Sequence, residues 1–248
     1  MDTEKLYQSI FRRKSVRKYQ MTPLDTSVTD EVSGLIPSLK PLFDIRTDVS
    51  LVPGDAIRGL LALKAPHYLV FSSENREGYL VNAGFMLQQM DLALSAMGLG
   101  TCWVGLAKPS EEITIQPGME FVIAMAFGKP AVSLHRERLS EFNRKPLGKI
   151  ANVHEDPLLE AARLAPSSVN SQPWYFIKEG GRIHAYCIRS GLLKALLYEK
   201  LNKIDMGIAL CHIWLAGLNH GKNPVFSRET EYPEAPAGYE YILTVSGI

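Results

Sequence analysis

The chain of 248 residues has a formal net charge of +1, so it has no overall field that would attract nucleic acid or an acidic membrane. Its length allows one large domain or two small ones, and its 46% hydrophobic and 21% charged residues are ordinary for a soluble globular protein. The three cysteines form no C-x-x-C pair, and neither a signal peptide nor a membrane-spanning run is visible, so we expect reduced thiols in a cytoplasmic protein.

The first half of the chain alternates apolar patterns of helix and strand type. They predict helices at 3–11, near 28–35 and 55–63, and at 79–97, with strands at 67–71 and 121–127. The helix at 79–97 is apolar nearly all round, which indicates that it is buried.

The second half begins its regular structure at Asp156, a good N-cap followed by Pro157 at the first helical position. A helix should run from there to about Leu164. The patterns also predict a strand at 174–177, an apolar helix at 204–218 and a strand from Tyr239. We assign Trp174 to core packing and His212 to a hydrogen-bonded position within the core.

The order of elements in the first half recurs in the second. Pro173 precedes a strand as Pro66 does, and Asp205-Met206-Gly207 opens an apolar helix as Asn82-Ala83-Gly84 does. This order predicts an internal duplication, with chance similarity among alternating helices and strands as the alternative. The two halves would be 1–135 and 136–248.

A polar, uncharged loop lies between Pro166 and Pro173. Its residues 167–172 carry hydroxyl and carboxamide groups, which place several donors and acceptors without adding charge. Such a loop suits a flat, neutral, polar heterocycle better than a phosphate or a metal ion. The alternative is an ordinary connection between helix and strand.

Two clusters of cations stand out. Five cations, Arg12, Arg13, Lys14, Arg17 and Lys18, fall within seven residues near the N-terminus. Such a run is either an anion-binding motif or a solvated charged patch. A second pair, Arg144 and Lys145, precedes Pro146, and its alternative is a solvated linker between the halves.

Three motifs resemble those of the FMN-dependent nitroreductase family. They are A-P-S-S-x-N-x-Q-P-W at 165–174, the R-R-S-x-R-x-F-like stretch 13–19, and the stretch 98–105. The chain is most similar to the branch in which two half-domains are fused in one chain. The resemblance implies an α+β fold, a three-layer α/β/α arrangement with mainly antiparallel sheets, duplicated internally as a pseudo-dimer.

The resemblance also implies roles for individual residues in binding FMN. Arg13 and Ser15, with Lys14 as a weaker candidate, match the residues that contact the FMN phosphate. Arg144 and Lys145 would contact the same phosphate from a later segment. Arg17 would lie near the pyrimidine edge of the flavin. Contacts to the ring and ribityl chain would come from Pro166, Ser167, Ser168 and Asn170, with Gln172 either joining them or bracing the loop. Gly105 and Leu106 would pass beside the flavin N5, although this sequence lacks the commoner acidic residue there.

The implied activity is oxidoreduction. FMN would take hydride from NADH or NADPH and pass it, in ping-pong order, to a nitro-aromatic, a quinone or a similar flat acceptor. We expect no catalytic side chain, because the flavin carries the chemistry, and no metal site, because the histidines are scattered.

A fused pseudo-dimer that kept one composite site would bind one FMN per chain. The first half has the cationic motif, but at 51–66, the stretch matched to the polar loop, it has no such loop. We expect a monomeric pseudo-dimer or a weak homo-oligomer, with a small-molecule electron acceptor as partner.

Three alternatives to this activity are open. The first is a relative that uses the same fold for another flavin-dependent reaction, since fold and cofactor do not fix the substrate. The second is an FMN-binding carrier or redox sensor without efficient turnover. The third is an interaction module that uses the basic patch.

Overall fold

The computed structural model describes residues 1–59, 63–189 and 195–248. The α-helices are α1 (Thr3–Ile10), α2 (Thr26–Leu35), α3 (Tyr79–Ala96), α4 (Pro157–Arg163) and α5 (Ala195–Asn219). The strands of the first half are β1 (Thr47–Pro53), β2 (Ile57–Arg58), β3 (His67–Ser73), β4 (Gly100–Val104), β5 (Lys108–Pro109) and β6 (Glu120–Gly128). Those of the second half are β7 (Trp174–Glu179), β8 (Arg182–Ile188), β9 (Val225–Ser227) and β10 (Tyr239–Ser246).

Two four-stranded antiparallel sheets form the frame. Their strand orders are β1-β3-β6-β4 and β7-β8-β10-β9, and β2 pairs with β5 separately. Strand β3 is buried on both faces, because alternate side chains enter different cores. Leu69 and Phe71 join the main core, whereas Tyr68 and Val70 join a smaller cluster on the other face. The α+β fold with mainly antiparallel sheets is therefore confirmed.

Helices α3 and α5 lie against each other in the main core. Their closest approach is at Gly84 and Gly207: a Cβ on Gly84 would lie 1.9 Å from the carbonyl oxygen of Ile204, and one on Gly207 would lie 1.9 Å from that of Val81. Only glycine permits backbones this close. Helix α1 packs on both α3 and α5, and α4 packs on α5, so the two sheets share one core.

Local signals located most helices correctly. The helices predicted at 3–11, 28–35, 79–97 and 157–164 are found within two residues of those bounds, and the one at 204–218 is the C-terminal part of α5. Asp156 caps α4 by accepting hydrogen bonds from the N–H groups of Leu158 and Leu159, both at 2.9 Å. Trp174 is fully buried, as predicted. His212 is a bonded core histidine, with Nδ1 2.8 Å from the Ala161 oxygen and Nε2 3.0 Å from Gln88.

The helix predicted near 55–63 is wrong. A single 3₁₀ turn (Gly54–Ala56) leads there into β2, because Ile57 and Arg58 pair with the distant residues Pro109 and Lys108. Residues 60–62 of that prediction lie outside the described residues. Strand β1 was missed altogether, since its pairing with β3 is a tertiary contact that the proline-broken sequence does not signal.

The matching of strands between the halves also needs correction. The sheet orders place β7 where β1 lies and β8 where β3 lies, so the strand after Pro173 corresponds to β1 and not to the strand after Pro66. A bulge supports this alignment, because Val122 in β6 and Ile242 in β10 are each skipped by the register. The counterpart of the polar loop is therefore the stretch before β1, 39–46, rather than 51–66, and it has no Ser, Asn or Gln.

Candidate functional site

A cavity of about 150 Å³ lies where the N-terminal segment, the end of β4, the polar loop and α5 meet. Six of the residues predicted for the flavin site line it: Ser15, Arg17, Gly105, Pro166, Ser167 and Ser168. The rest of the lining consists mainly of apolar residues, among them Leu201, Ile204 and Ile208 of α5. The structure thus brings together two segments that are about 150 residues apart in sequence.

The polar loop has an unusual backbone. Val169, Asn170 and Gln172 have φ angles of 47°, 56° and 50°, all in the left-handed region. For the β-branched Val169 this conformation is costly, and its side chain is 81% exposed at the cavity. Strained backbone of this kind persists only where the surroundings fix it.

Arg144 is one of the groups that fix the loop. Its Nη1 donates to Asn170 Oδ1 at 2.7 Å and to the Phe142 oxygen at 2.9 Å, while Nε donates to the Ala165 oxygen at 3.0 Å. A guanidinium that is partly buried among carbonyl groups in this way fixes the start of the loop and its middle. Arg144 does not line the cavity, and its contacts exclude a solvated linker.

Lys145 and Gln172 brace the same loop from the side. The Lys145 backbone N–H donates to Gln172 Oε1 at 2.7 Å, and its ammonium donates to the Ser171 oxygen at 2.9 Å. The Gln172 N–H donates to Ser167 Oγ at 2.9 Å. Of the two roles expected for Gln172, these bonds favour bracing. Neither Asn170 nor Gln172 lines the cavity.

The N-terminal cations are placed very differently from one another. Arg13 is 1% exposed, and its Nε lies 3.2 Å from Oδ2 of the buried Asp91. Its Nη2 donates to Ser15 Oγ at 3.4 Å, which links the ion pair to the cavity wall. Arg17 is exposed and lines the cavity, without a hydrogen bond or ion pair to the chain within 1–59, 63–189 and 195–248. Lys14 and Leu106 do not line the cavity.

Arg136, which the sequence did not single out, completes a cluster of three guanidinium groups with Arg13 and Arg144. Burial and the charge of Arg13 lower the pKa of Arg136 to about 10. Burial and the charges of Arg136 and Arg13 lower the pKa of Arg144 to about 10. Arg136 also lies over the Phe142 ring, with Cζ 4.1 Å from its centroid. Because the cations disfavour one another's charge, an anion beside them would be stabilised.

Asp205 is the second residue that sequence reasoning missed. It lies in α5, lines the cavity and is 4% exposed. Its Oδ2 accepts a hydrogen bond from the Ser168 N–H at 2.9 Å. Burial raises its pKa to about 8. The available signal was a carboxyl in the mainly apolar run of α5 between Ile204 and Leu215, where His212 is the other ionisable side chain apart from Cys211.

Metal clusters and membrane-spanning helices are both absent from the described ranges. Across residues 1–59, 63–189 and 195–248, His, Cys, Asp and Glu side chains form no group of three or more that could hold a metal ion. None of the helices in these ranges is long and apolar enough to cross a membrane.

Residues 5–217 match the model of the family described as "Putative TM nitroreductase". The chain belongs to this nitroreductase family. It is accordingly a nitroreductase-family oxidoreductase, and the resemblance read from the three motifs is confirmed. A search among curated proteins found no match.

Solved structures of the nitroreductase family are similar to this chain. One, described as a putative nitroreductase from Thermotoga maritima, is 22% identical, with a TM-score of 0.66 over 98% of this chain and 93% of that one. A nitroreductase family protein from Clostridium difficile 630 is 15% identical, with a TM-score of 0.46 over 59% of this chain and 95% of that one. An FMN-dependent nitroreductase from Clostridium difficile R20291 is 13% identical, with a TM-score of 0.41 over 54% and 93%. The Thermotoga structure establishes the shared fold along nearly the whole chain.

Proposed function

We propose that this protein is a cytoplasmic FMN-dependent oxidoreductase that takes hydride from NADH or NADPH and reduces a nitro-aromatic, a quinone or a similar flat acceptor. The observation that carries the proposal is the meeting of Ser15 and Arg17 with Pro166–Ser168 around one cavity. These segments belong to the two motifs that the resemblance assigns to different parts of one flavin: the phosphate side and pyrimidine edge for the first, and the ring and ribityl chain for the second.

The groups that line the cavity and the cations behind its wall fit the parts of FMN. Behind the cavity wall, and not lining it, the cluster of Arg13, Arg136 and Arg144 has more positive charge than Asp91 can balance, and this field favours a dianionic phosphate nearby. The loop hydroxyls and the apolar wall of α5 suit the polar edge and the faces of a flat ring. Arg17 is the exposed cation of the cavity and would face the part of the ring that becomes negative on reduction.

FMN, once bound, would supply the hydride chemistry, and the chain would supply position and electrostatics. Arg144 holds the loop conformation through Asn170 Oδ1 and the Ala165 oxygen before any ligand arrives, so the ring would enter a preformed wall. The buried side chains of Leu201, Ile204 and Ile208 would keep water from one face. Preformed geometry of this kind reduces the cost of ordering the reactants.

We further propose that the halves 1–135 and 136–248 form a pseudo-dimer with one FMN per chain, either monomeric or weakly associated. The reciprocal contact of Gly84 and Gly207 and the shared bulge at Val122 and Ile242 support this arrangement. By sheet register, Arg228 follows β9 as Gly105 follows β4. In a second flavin site related to the first by the duplication, Arg228 would stand where Gly105 stands in the first. The ion pair of Arg228 with Glu77 would therefore lie within that second site.

The absorption spectrum of freshly purified protein, followed by fluorescence titration of FMN into stripped protein, tests the cofactor and its stoichiometry. We expect oxidised flavin at one equivalent per chain, and two firmly bound flavins would contradict the pseudo-dimer with one site. Steady-state oxidation of NADH and NADPH with a quinone or a nitrofuran tests the enzyme. Bound flavin that is reduced but does not turn over would instead indicate a carrier or redox sensor, and colourless protein that binds no FMN would contradict the whole proposal.

A further inference from the structure

The carboxyl group of Asp205 is positioned toward the candidate cavity without an ion-pair partner. Oδ2 accepts the Ser168 N–H at 2.9 Å, and no cation of the described ranges forms an ion pair with Asp205. The groups around it come from several elements: Arg17 of the N-terminal segment and Cys102 of β4 line the same cavity, and Cys187 lies on β8. Lys203, on its own helix, pairs with Glu240 instead.

Such a carboxyl is a hydrogen-bond donor at neutral pH. Burial disfavours the carboxylate, and the one bond that favours it, from Ser168, does not offset burial, so the pKa of Asp205 is raised to about 8. A protonated carboxyl accepts with one oxygen and donates with its O–H. Ser168 uses the accepting oxygen, and within residues 1–59, 63–189 and 195–248 the hydrogen bonds of Asp205 include no acceptor for the O–H.

We propose that the Asp205 carboxylic acid donates a hydrogen bond to the ligand held in this cavity, and that it recognises a neutral heterocycle by a carbonyl or ring-nitrogen acceptor on its edge. This inference rests on the proposed function, under which the heterocycle is the isoalloxazine of FMN. Ser168 and the ligand then share one carboxyl, so Asp205 both fixes the loop and hydrogen-bonds the ring.

The proposal has a definite pH signature. Asp205 loses its proton, and with it the donor, as the pH rises through its pKa of about 8, so ligand affinity should fall in that range. Asp205→Asn keeps an oxygen for the Ser168 N–H and adds a permanent N–H donor, so its affinity should not depend on pH there. Asp205→Leu removes both functions and should bind weakly at every pH.

The experiment is a fluorescence titration of riboflavin and of FMN into stripped protein between about pH 6.5 and pH 9.5. Riboflavin lacks the phosphate, so its titration isolates the ring. For the wild type we expect the Kd for riboflavin to rise about tenfold across this range, the size of one hydrogen bond. For Asp205→Asn we expect a change of less than about twofold, and for Asp205→Leu a Kd about tenfold above that of the wild type near pH 6.5.

A second readout does not depend on ligand affinity. Difference infrared spectra of wild type against Asp205→Asn should show the carbonyl band of a protonated carboxylic acid near neutral pH, and riboflavin should shift it. A carboxylate band in its place would overturn the proposal, as would equal pH profiles for wild type and Asp205→Asn. If neither FMN nor riboflavin binds to folded wild-type protein at any pH, the proposed function fails instead. Should Asp205→Leu not fold, the Asn variant and the infrared band decide.

Discussion

Gly84 of α3 and Gly207 of α5 face each other where the central helices cross, and each leaves room for the backbone of the opposite helix. A Cβ on either glycine would lie 1.9 Å from a carbonyl oxygen of the other helix. Gly207→Ala should therefore force the helices apart and destabilise the protein by about 1–3 kcal/mol. Gly84→Ala should do the same.

Urea unfolding measures this effect, and Gly34→Ala is the matched control. Gly34 also lies in a helix, but a Cβ there would meet nothing within 4 Å, so alanine should stabilise the protein by up to about 1 kcal/mol. Equal midpoints for Gly34→Ala and Gly207→Ala would show that the helices can separate without cost.

Arg13 should contribute mainly to the stability of the fold and only indirectly to ligand binding. Arg13→Ala would leave Asp91 buried without its cation, a change that typically costs about 3–5 kcal/mol. Replacing both partners, by Arg13→Met with Asp91→Leu, should recover at least half of that loss in a denaturant titration. Arg12→Ala, at the exposed neighbouring arginine, is the control. Stable, well-folded Arg13→Ala protein with greatly weakened FMN binding would instead favour direct contact of Arg13 with the phosphate.

Arg17 should matter to the ligand and not to folding. Arg17→Ala removes the exposed cation of the cavity, so FMN affinity should fall about 10- to 100-fold, with the melting temperature unchanged. The potential of bound flavin should become more negative, because the anionic reduced form loses a stabilising charge. Lys18→Ala, at an adjacent exposed cation outside the cavity, should change neither the FMN affinity nor the potential of the bound flavin. Equal effects of the two substitutions would indicate that FMN responds to the overall positive charge of this segment and not to Arg17 in particular.

Val169 offers a test of strain in the loop. Asparagine tolerates the left-handed region better than a β-branched residue does, so Val169→Asn should stabilise the protein by about 1 kcal/mol. Val132→Asn is a matched control, because Val132 is also exposed and has no positive φ. Calorimetry would compare the two variants. A loss of stability in Val169→Asn alone would mean that the valine side chain makes a contact that outweighs the strain.

His212 should make the protein sensitive to acid. Burial lowers its pKa to about 3, whereas in the unfolded chain its pKa is near 6.5. The unfolded state therefore binds a proton that the native state does not bind. The free energy of unfolding should fall by about 1.4 kcal/mol per pH unit as the pH drops from about 6.5 toward 3. His212→Gln should lack this one-proton slope. The remaining titrating groups are common to both proteins and cancel in the difference, so identical slopes would refute the assignment.

The sequence predicted those features that depend on neighbours along the chain. The cap at Asp156 and the buried helix α3 are both local, and both were found. Features that depend on distant partners were missed. The bond from Ser168 to Asp205 spans 37 residues, and β1 exists because β3 lies beside it. The polar residues of the loop were visible, but their division into cavity wall and bracing depends on where Arg144 lies.

The walls of the cavity come from segments near the start and near the end of the polypeptide, so the cavity cannot form early in synthesis. A nascent chain synthesised as far as the polar loop has Ser15, Gly105 and Ser168 but still lacks α5 with Ile204 and Asp205. The complete cavity would therefore form only after most of the chain has left the ribosome. A chain that stops before Ile208 would lack part of the apolar wall and would not form the complete cavity.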